Sequence, residues 1–259
     1  MVIDSVYNLI FNLDDMKLGV ITALHNRHDM TLVFLSSMRR IHEKFGVSTH
    51  AVVTEGDPII SSLEGIDYIT HRNKPLGAKW NAISQHMKDS DLTHFLIMGS
   101  DDIPSDAFIE HALTLGEYDI SGVQGIWFWG LNPIRAGFNK FGFYYTSSII
   151  GAGKIVSRRV MEMCDWKPWP PYEGGGLDGK MMKIISDYSF SKGISISIHK
   201  YSLLETGGFI VDVKYEDHIS SMSPIIRRNF TEYEYKAVIY EHLPDEAEAL
   251  FALRDKVNN

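Results

Sequence analysis

The sequence predicts one α/β domain, a Rossmann-like unit with a mainly parallel central sheet flanked by helices. Three observations predict it. Strand-length apolar runs alternate with helix-period segments from Lys17 to Met98, joined by short polar connections. The runs Lys17 to Leu24 and Thr93 to Met98 are apolar nearly throughout, as strands covered on both faces are. No internal repeat, low-complexity tract or linker interrupts the 259 residues, so 1–259 reads as a single domain with halves at 17–125 and 126–259.

The first strand, KLGVITAL, ends in the polar loop His25-Asn26-Arg27. A helix is expected from Asp29, a possible N-cap, to Phe45. Met30, Phe34, Met38, Ile41 and Phe45 recur at three- and four-residue steps and Gly46 stops it. Val47 to Thr54 is the second strand and runs out into Glu55-Gly56-Asp57-Pro58; a short third follows at Asp67 to Thr70. A helix over Leu76 to Met87 leads to the strand Thr93 to Met98. In parallel sheets ligands sit beyond the carboxyl ends of the strands, which is where these polar loops fall. Downstream, Ser105 to Thr114 reads as helix, Tyr118 to Val123 and Ile194 to Ile198 as strands, and 157–164, 177–190 and 231–257 as helices.

Composition is that of an ordinary globular protein, 44% hydrophobic and 22% charged. The single cysteine, Cys164, excludes an internal disulfide and reads as a small buried hydrophobe. The N-terminal stretch has no basic region of a signal peptide, and no apolar run approaches the ~20 residues that span a bilayer. The expected location is therefore cytoplasmic. A net charge of −8 argues against a surface devoted to polyanions. The arginine pairs 39–40, 158–159 and 227–228 read as solvated faces or loops.

Gly99-Ser100-Asp101-Asp102 follows the apolar strand. Adjacent carboxylates there repel each other and lose solvation, and a cation best compensates them. Hard oxygen ligands suit Mg²⁺ or Mn²⁺, which readily bridge to phosphates. The competing reading makes Asp102 an N-cap for the helix beyond Ile103-Pro104.

Four segments in order, VITALHNR, AVVTEGD, the run from Asn73 to Ala82 and THFLIMGSDD, resemble the family 2 inverting glycosyltransferases. The resemblance covers residues 17–104 and implies the A-type glycosyltransferase fold. It makes 17–125 the nucleotide-sugar half and 126–259 the acceptor half. It implies a nucleotide-diphosphate sugar as donor and Mn²⁺ or Mg²⁺ as the metal. By the same likeness Thr22, Leu24, Asn26 and Arg27 lie at the base, and Glu55 and Asp57 meet the uracil or ribose. Asn73, Gly77, Lys79 and Asn81 match the family's Asn-x-Gly-x-x-x-Asn run. Ser100, Asp101 and Asp102 stand at its acidic metal motif. Where the family carries the motif's first aspartate this chain has Gly99, which weakens that contact or hands its role to Ser100.

The second half matches less closely. Gly151 to Met163 resembles the family's glycine-led acceptor segment, and Gly176-Leu177-Asp178 stands where the family carries its catalytic acid pair. The likeness makes Asp178 the general base, with Glu173 as backup; the plainer reading is an aspartate favoured by a helix N-terminus. His218, with His199 behind it, is the candidate for a further metal ligand, although an exposed or satisfied histidine is the default. Trp127, Phe128, Trp129, Phe138, Phe141, Phe143, Tyr144 and Tyr145 divide between core and a stacking wall. Trp166, Trp169 and Tyr172 suggest a lid over the acceptor.

Together these imply metal-dependent, inverting transfer of a sugar to an acceptor hydroxyl. The acceptor stays open among glycan, lipid carrier, protein and a modified DNA base. Two competing readings are a nucleotidyltransferase, which would want a glycine-rich phosphate loop that HNRHD lacks, and a degenerate transferase serving as a binding module.

Overall fold

The computed structural model describes residues 16–131, 140–172, 176–214 and 230–258. Alternation of apolar strands and amphipathic helices produces a seven-stranded sheet. Its order is β10 (Ile198–Tyr201), β6 (Ile120–Val123), β9 (Lys154–Ser157), β4 (His94–Gly99), β1 (Leu18–Leu24), β2 (Ser48–Thr54) and β3 (Asp67–His71). All neighbours run parallel except β9, which is antiparallel to β4 and to β6. A second sheet of five strands has the order β12 (Phe230–Glu232), β8 (Phe141–Tyr145), β7 (Gly125–Gly130), β11 (Ile210–Lys214), β5 (Asp102–Pro104). Only β11 and β7 run parallel in it. The fold is thus mixed α/β with two sheets, a correction to the expected single, mainly parallel one.

Strand periodicity divides the core. Val20 and Leu24 of β1, Ala51 and Val53 of β2, and Leu96 and Met98 of β4 face one cluster. Ile21, Val52, Phe95 and Ile97, the alternate residues, face the other. Helix α1 (His28–Phe45) buries Met30, Phe34, Met38 and Ile41 in the first cluster. Helices α2 (Leu76–His86), α4 (Arg158–Met163) and α5 (Leu177–Lys192) cover the second. The second sheet joins the first cluster through an aromatic layer. Trp127 stacks on Phe141 at 5.0 Å, and Trp129 packs against Phe251 at 5.8 Å. The block is therefore mainly core, not a stacking wall, with Tyr145 exposed at its edge; Phe138 lies outside the described residues.

Several boundaries differ from expectation for identifiable reasons. Arg27, not Asp29, is the cap residue of α1. The helix α3 (Asp106–Ala112) is capped by Ser105, whose hydroxyl accepts from the Phe108 amide at 3.2 Å. Asp102 is consequently no cap; it lies within β5. The alternating stretch 194–197 precedes its strand, because Asp119 takes the Ser197 amide at 2.9 Å and pairing starts only at Ile198. After the short α6 (Leu203–Thr206), the expected C-terminal helix is three elements, β12, α7 (Tyr235–His242) and α8 (Ala247–Asn258). Pro244 separates the helices, since it lacks an amide proton and disfavours helical backbone before it.

Trp166 and Trp169 form no lid. Both are buried, Trp166 edge-on to Phe95 at 5.6 Å and Trp169 stacked on Trp80 at 5.3 Å, while Tyr172 is exposed. In the first two arginine pairs Arg159 is exposed, as a solvated face requires, whereas Arg40 and Arg158 are tied into the fold. Arg40 binds Glu246 at 2.9 Å and also pairs with Asp106, tying α1 to α3 and to the residue that precedes α8. Arg158 donates to the carbonyls of Leu92, Lys88 and Ser90 at 2.7, 3.0 and 2.5 Å. Arg227 and Arg228 lie outside the described residues. Cys164 is buried, and burial pushes its thiol up to about 11. No helix among the described residues is long and apolar enough to cross a membrane.

Candidate active site

Strands β1 and β4 are neighbours, yet the chain leaves β1 for β2 on one side and arrives at β4 on the other. Such a reversal opens a crevice beyond the strand ends. Two loops meet there, 25–27 after β1 and 100–101 after β4. Asn26 and Arg27 both hold left-handed backbone, φ 50° and 54°. The short Asn side chain tolerates this region, but for Arg27 it costs about 1 kcal/mol or more. Asp57 holds the turn by accepting from the Asn26 amide at 2.8 Å. The Arg27 guanidinium then reaches Asp101 Oδ2 at 2.7 Å.

Three carboxylates gather at this point. Asp102 lies directly opposite Asp212 in the antiparallel β5–β11 pair, and the Asp101 carbonyl accepts from the Val213 amide at 2.9 Å. One oxygen from each of Asp101, Asp102 and Asp212 lies within 4.8 Å of the others. All three residues are buried, at 8%, 6% and 8% exposure, so their charge must be answered locally. Lys214 answers part of it, 2.6 Å from Asp212 Oδ1 and 3.3 Å from Asp101 Oδ2. Burial alone would lower the Lys214 ammonium, but Asp212 and Asp101 outweigh it and hold it well above its ordinary value. Asp101 likewise raises Arg27. Burial, then Asp212 and Asp101, push Asp102 well above the usual carboxylate range, against the pull of Lys214 and the Gly99 amide. The cluster presents hard oxygen donors close together, and on that chemistry it fits a divalent cation such as Mg²⁺ or Mn²⁺.

Gly99 has a steric reason. Its amide donates to Asp102 Oδ2 at 2.6 Å, and a Cβ there would stand 2.8 Å from that oxygen and 2.9 Å from Asp101 Oδ1. A third acidic side chain at position 99 has no room in this arrangement; Asp212 brings the third carboxylate from another strand. Ser100 is buried beside it, with no hydrogen bond to its hydroxyl among the described residues.

The other expected donor contacts divide. Asp57 is buried and spent on the Asn26 and Ile59 amides, the latter at 3.1 Å; Glu55 is exposed at the strand end. Lys79 is fully buried, donating to the Leu24 carbonyl at 2.5 Å and to Thr54 Oγ1 at 2.8 Å. Burial lowers its ammonium to about 8, Asp57 opposing. Asn73 Oδ1 lies 3.5 Å from the same Thr54 hydroxyl. Thr22 is fully buried inside β1, and Gly77 is buried in α2, so neither offers surface to a ligand. Asn81 exchanges two hydrogen bonds with the Trp169 backbone, at 2.7 and 3.0 Å, and so fastens α2 to the Pro-rich segment.

Asp178 stands in the first turn of α5, more than half exposed. Its carboxylate lies against Gly151, where a Cβ would come within 2.2 Å of Oδ1. Its nearest cation is Lys154 Nζ, at 3.9 Å. Lys154 opens β9 opposite Ile97 of β4, two residues before Gly99, and so belongs to the same edge of the sheet. It is wholly buried and its amine makes no hydrogen bond among the described residues. Burial lowers it, with Asp178 opposing.

Glu173 and His218 lie outside the described residues. His199 is not at the cluster: it sits on β10, the far edge strand, stacked on Tyr118 at 4.5 Å. Sequence reading missed Asp212, Lys214 and Lys154. The signal for the first two was Ile210-Val-Asp-Val-Lys, a strand-like run with opposite charges two residues apart, hence on one face. For Lys154 it was a lone charge opening the apolar run KIV.

No protein-family model matches this chain, and no curated protein does. Solved structures show likenesses. A mannosyltransferase from Pyrobaculum calidifontis, in complex with GDP-Man and Mn²⁺, has TM-score 0.48 and 10% identity over 92% of this chain and 73% of that one. The inositol-1-phosphate CTP transferase of T. maritima has TM-score 0.47 and 11% identity, over 94% and 98%. A Drosophila β1,4-galactosyltransferase 7, bound to manganese, UDP-Gal and xylobiose, has TM-score 0.45 and 13% identity, over 86% and 79%. At these identities and TM-scores, none of the likenesses assigns an activity to this chain.

Proposed function

We propose that this chain is a glycosyltransferase that moves a sugar from a nucleotide-diphosphate donor to an acceptor hydroxyl by single displacement with inversion. The observation that carries the reading is the junction of Asp101, Asp102 and Asp212 with Arg27 at the β1/β4 crevice, on the same sheet edge as Asp178. The donor's base lies along residues 25–27 with Glu55 at its edge, and its diphosphate faces the carboxylate cluster. Asp101, Asp102 and Asp212 would hold a divalent ion, which supplies positive charge for the leaving diphosphate. Arg27 adds a fixed cation from the protein. Asp178 takes the proton of the acceptor hydroxyl as its oxygen bonds to the anomeric carbon. The bond from that carbon to the donor phosphate breaks, and the nucleoside diphosphate departs with the electron pair.

UDP and GDP titrations with and without Mn²⁺ test the donor half. Metal-dependent nucleotide binding is expected, and its absence for both nucleotides overturns the reading. Thermal stabilisation across a panel of nucleotide sugars then identifies the donor. Pyrophosphate release from a nucleoside triphosphate and a sugar phosphate, without hydrolysis of any nucleotide sugar, would instead identify a nucleotidyltransferase.

A further inference from the structure

We propose that Lys214 is a built-in counter-cation of the carboxylate cluster and competes with a divalent ion for the same oxygens. The Lys214 ammonium lies 2.6 Å from Asp212 Oδ1 and 3.3 Å from Asp101 Oδ2, so it engages two of the three residues that would ligate the ion. Arg27 takes Asp101 from the other side at 2.7 Å. Among the described residues, two cations thus already stand against the oxygens that would ligate the ion. A dipositive ion brought to the same oxygens meets the Lys214 ammonium at close range in a buried place, a repulsion relieved when the ammonium withdraws.

The Nζ of Lys214 already lies 5.7 Å from the centroid of the Phe128 ring, whose electron-rich face partly compensates the ammonium as it moves off the carboxylates. Lys214 ends β11, and its carbonyl is fixed by the Leu131 amide at 2.9 Å, so the exchange is a side-chain motion on a held backbone. Lysine suits this role because its ammonium is a point charge on a flexible stem, unlike a forked guanidinium. The consequence is that metal affinity is set by a residue that ligates nothing.

The inference rests on the proposed function only for the purpose of the ion; ion binding itself is read without nucleotide. Metal-stripped wild type, Lys214→Met and Lys214→Arg are titrated with Mn²⁺ alone, following the free-ion electron paramagnetic resonance signal. Lys214→Met is expected to bind Mn²⁺ at least tenfold more tightly than wild type, and Lys214→Arg no more tightly. Equal or weaker binding by a folded Lys214→Met overturns the proposal. If that variant does not fold, Lys214→Gln, which keeps a polar group without charge, is read against the same criterion. Glycosyl transfer could fail altogether and this result would still stand or fall separately.

Discussion

Lys214 and Lys154 are both buried lysines at the candidate site, and they are held in opposite ways. Lys214 is wedged between Asp212 and Asp101, and its ammonium is stabilised beyond its ordinary value. Among the described residues Lys154 is paired with Asp178 alone, 3.9 Å away and more than half exposed, and burial lowers its ammonium. Among the described residues, the first end of the candidate site is a cluster saturated by its own ion pairs, with Lys214 the member proposed to give way to a divalent ion. The second is a poorly compensated cation beside a carboxylate that remains open to solvent. Pairing of β5 with β11 fixes the backbone of the first end, which suits a diphosphate-binding end. An open carboxylate near an unsatisfied amine leaves room for a ligand's own polar groups, which suits the end where a second substrate arrives.

The largest expected effect falls on the open end. Asp178→Asn should lower donor hydrolysis or transfer by about 10²–10⁴-fold if it is the general base, while UDP affinity stays at the wild-type value. A variant that loses nucleotide binding instead would place Asp178 at the donor end and erase the contrast. At the saturated end the larger effect is on stability. Asp101→Ala strips an acceptor from both Arg27 and Lys214 and leaves one buried and one partly buried cation short of charge. It should cost about 3–5 kcal/mol in urea unfolding. Lys154→Met should be neutral or stabilising, by up to about 1–4 kcal/mol, because an apolar stem replaces a poorly answered charge. A destabilised Lys154→Met would show that Lys154 is better paired than its neighbourhood implies.

The readability of the sequence follows the same division. The β1, α1, β2, α2 and β4 elements were legible because each is one apolar run or stripe with local punctuation, such as Gly46 after α1. The Asp101-Asp102 pair was legible because adjacent acids after a buried strand have few stable explanations. Asp212 was not, because its place opposite Asp102 depends on pairing between segments 110 positions apart in the numbering. The role of Gly99 was hidden for the same reason: its crowding comes from Asp101 and Asp102 side chains folding back over it. Trp166 and Trp169 misled because Pro and Gly neighbours mark a loop but do not reveal that the loop is pinned. Asn81 does the pinning, donating to the Trp169 carbonyl and accepting from the Trp169 amide.

A smaller perturbation tests whether the open end depends on placement as well as on charge. Gly151 leaves room for the Asp178 carboxylate, and Gly151→Ala would put a methyl group 2.2 Å from Oδ1. Since Asp178 is exposed, it can swing away at little cost to the fold. Turnover should therefore fall by about tenfold, less than the loss from Asp178→Asn, with little change in melting temperature. Full activity in this variant would mean that the carboxylate acts from some other rotamer.

Lys79 supplies the intermediate case and the smallest effect. It is buried like the other two, but its partners are neutral oxygens of Leu24 and Thr54, and burial lowers it to about 8 from an ordinary 10.5. Below pH 8 both folded and unfolded chains carry its proton, so its cost to the fold is constant and full. Between about 8 and 10.5 the unfolded chain binds more protons than the folded one, and stability rises with pH. Above 10.5 the cost is gone. The slope from this one group is at most about 1.4 kcal/mol per pH unit. Urea unfolding of wild type and Lys79→Met at a series of pH values in that window should show the variant's profile flatter than the wild type's. Parallel profiles would mean that Lys79 stays charged in the fold, compensated through Asp57 as fully as Lys214 is by its own aspartates.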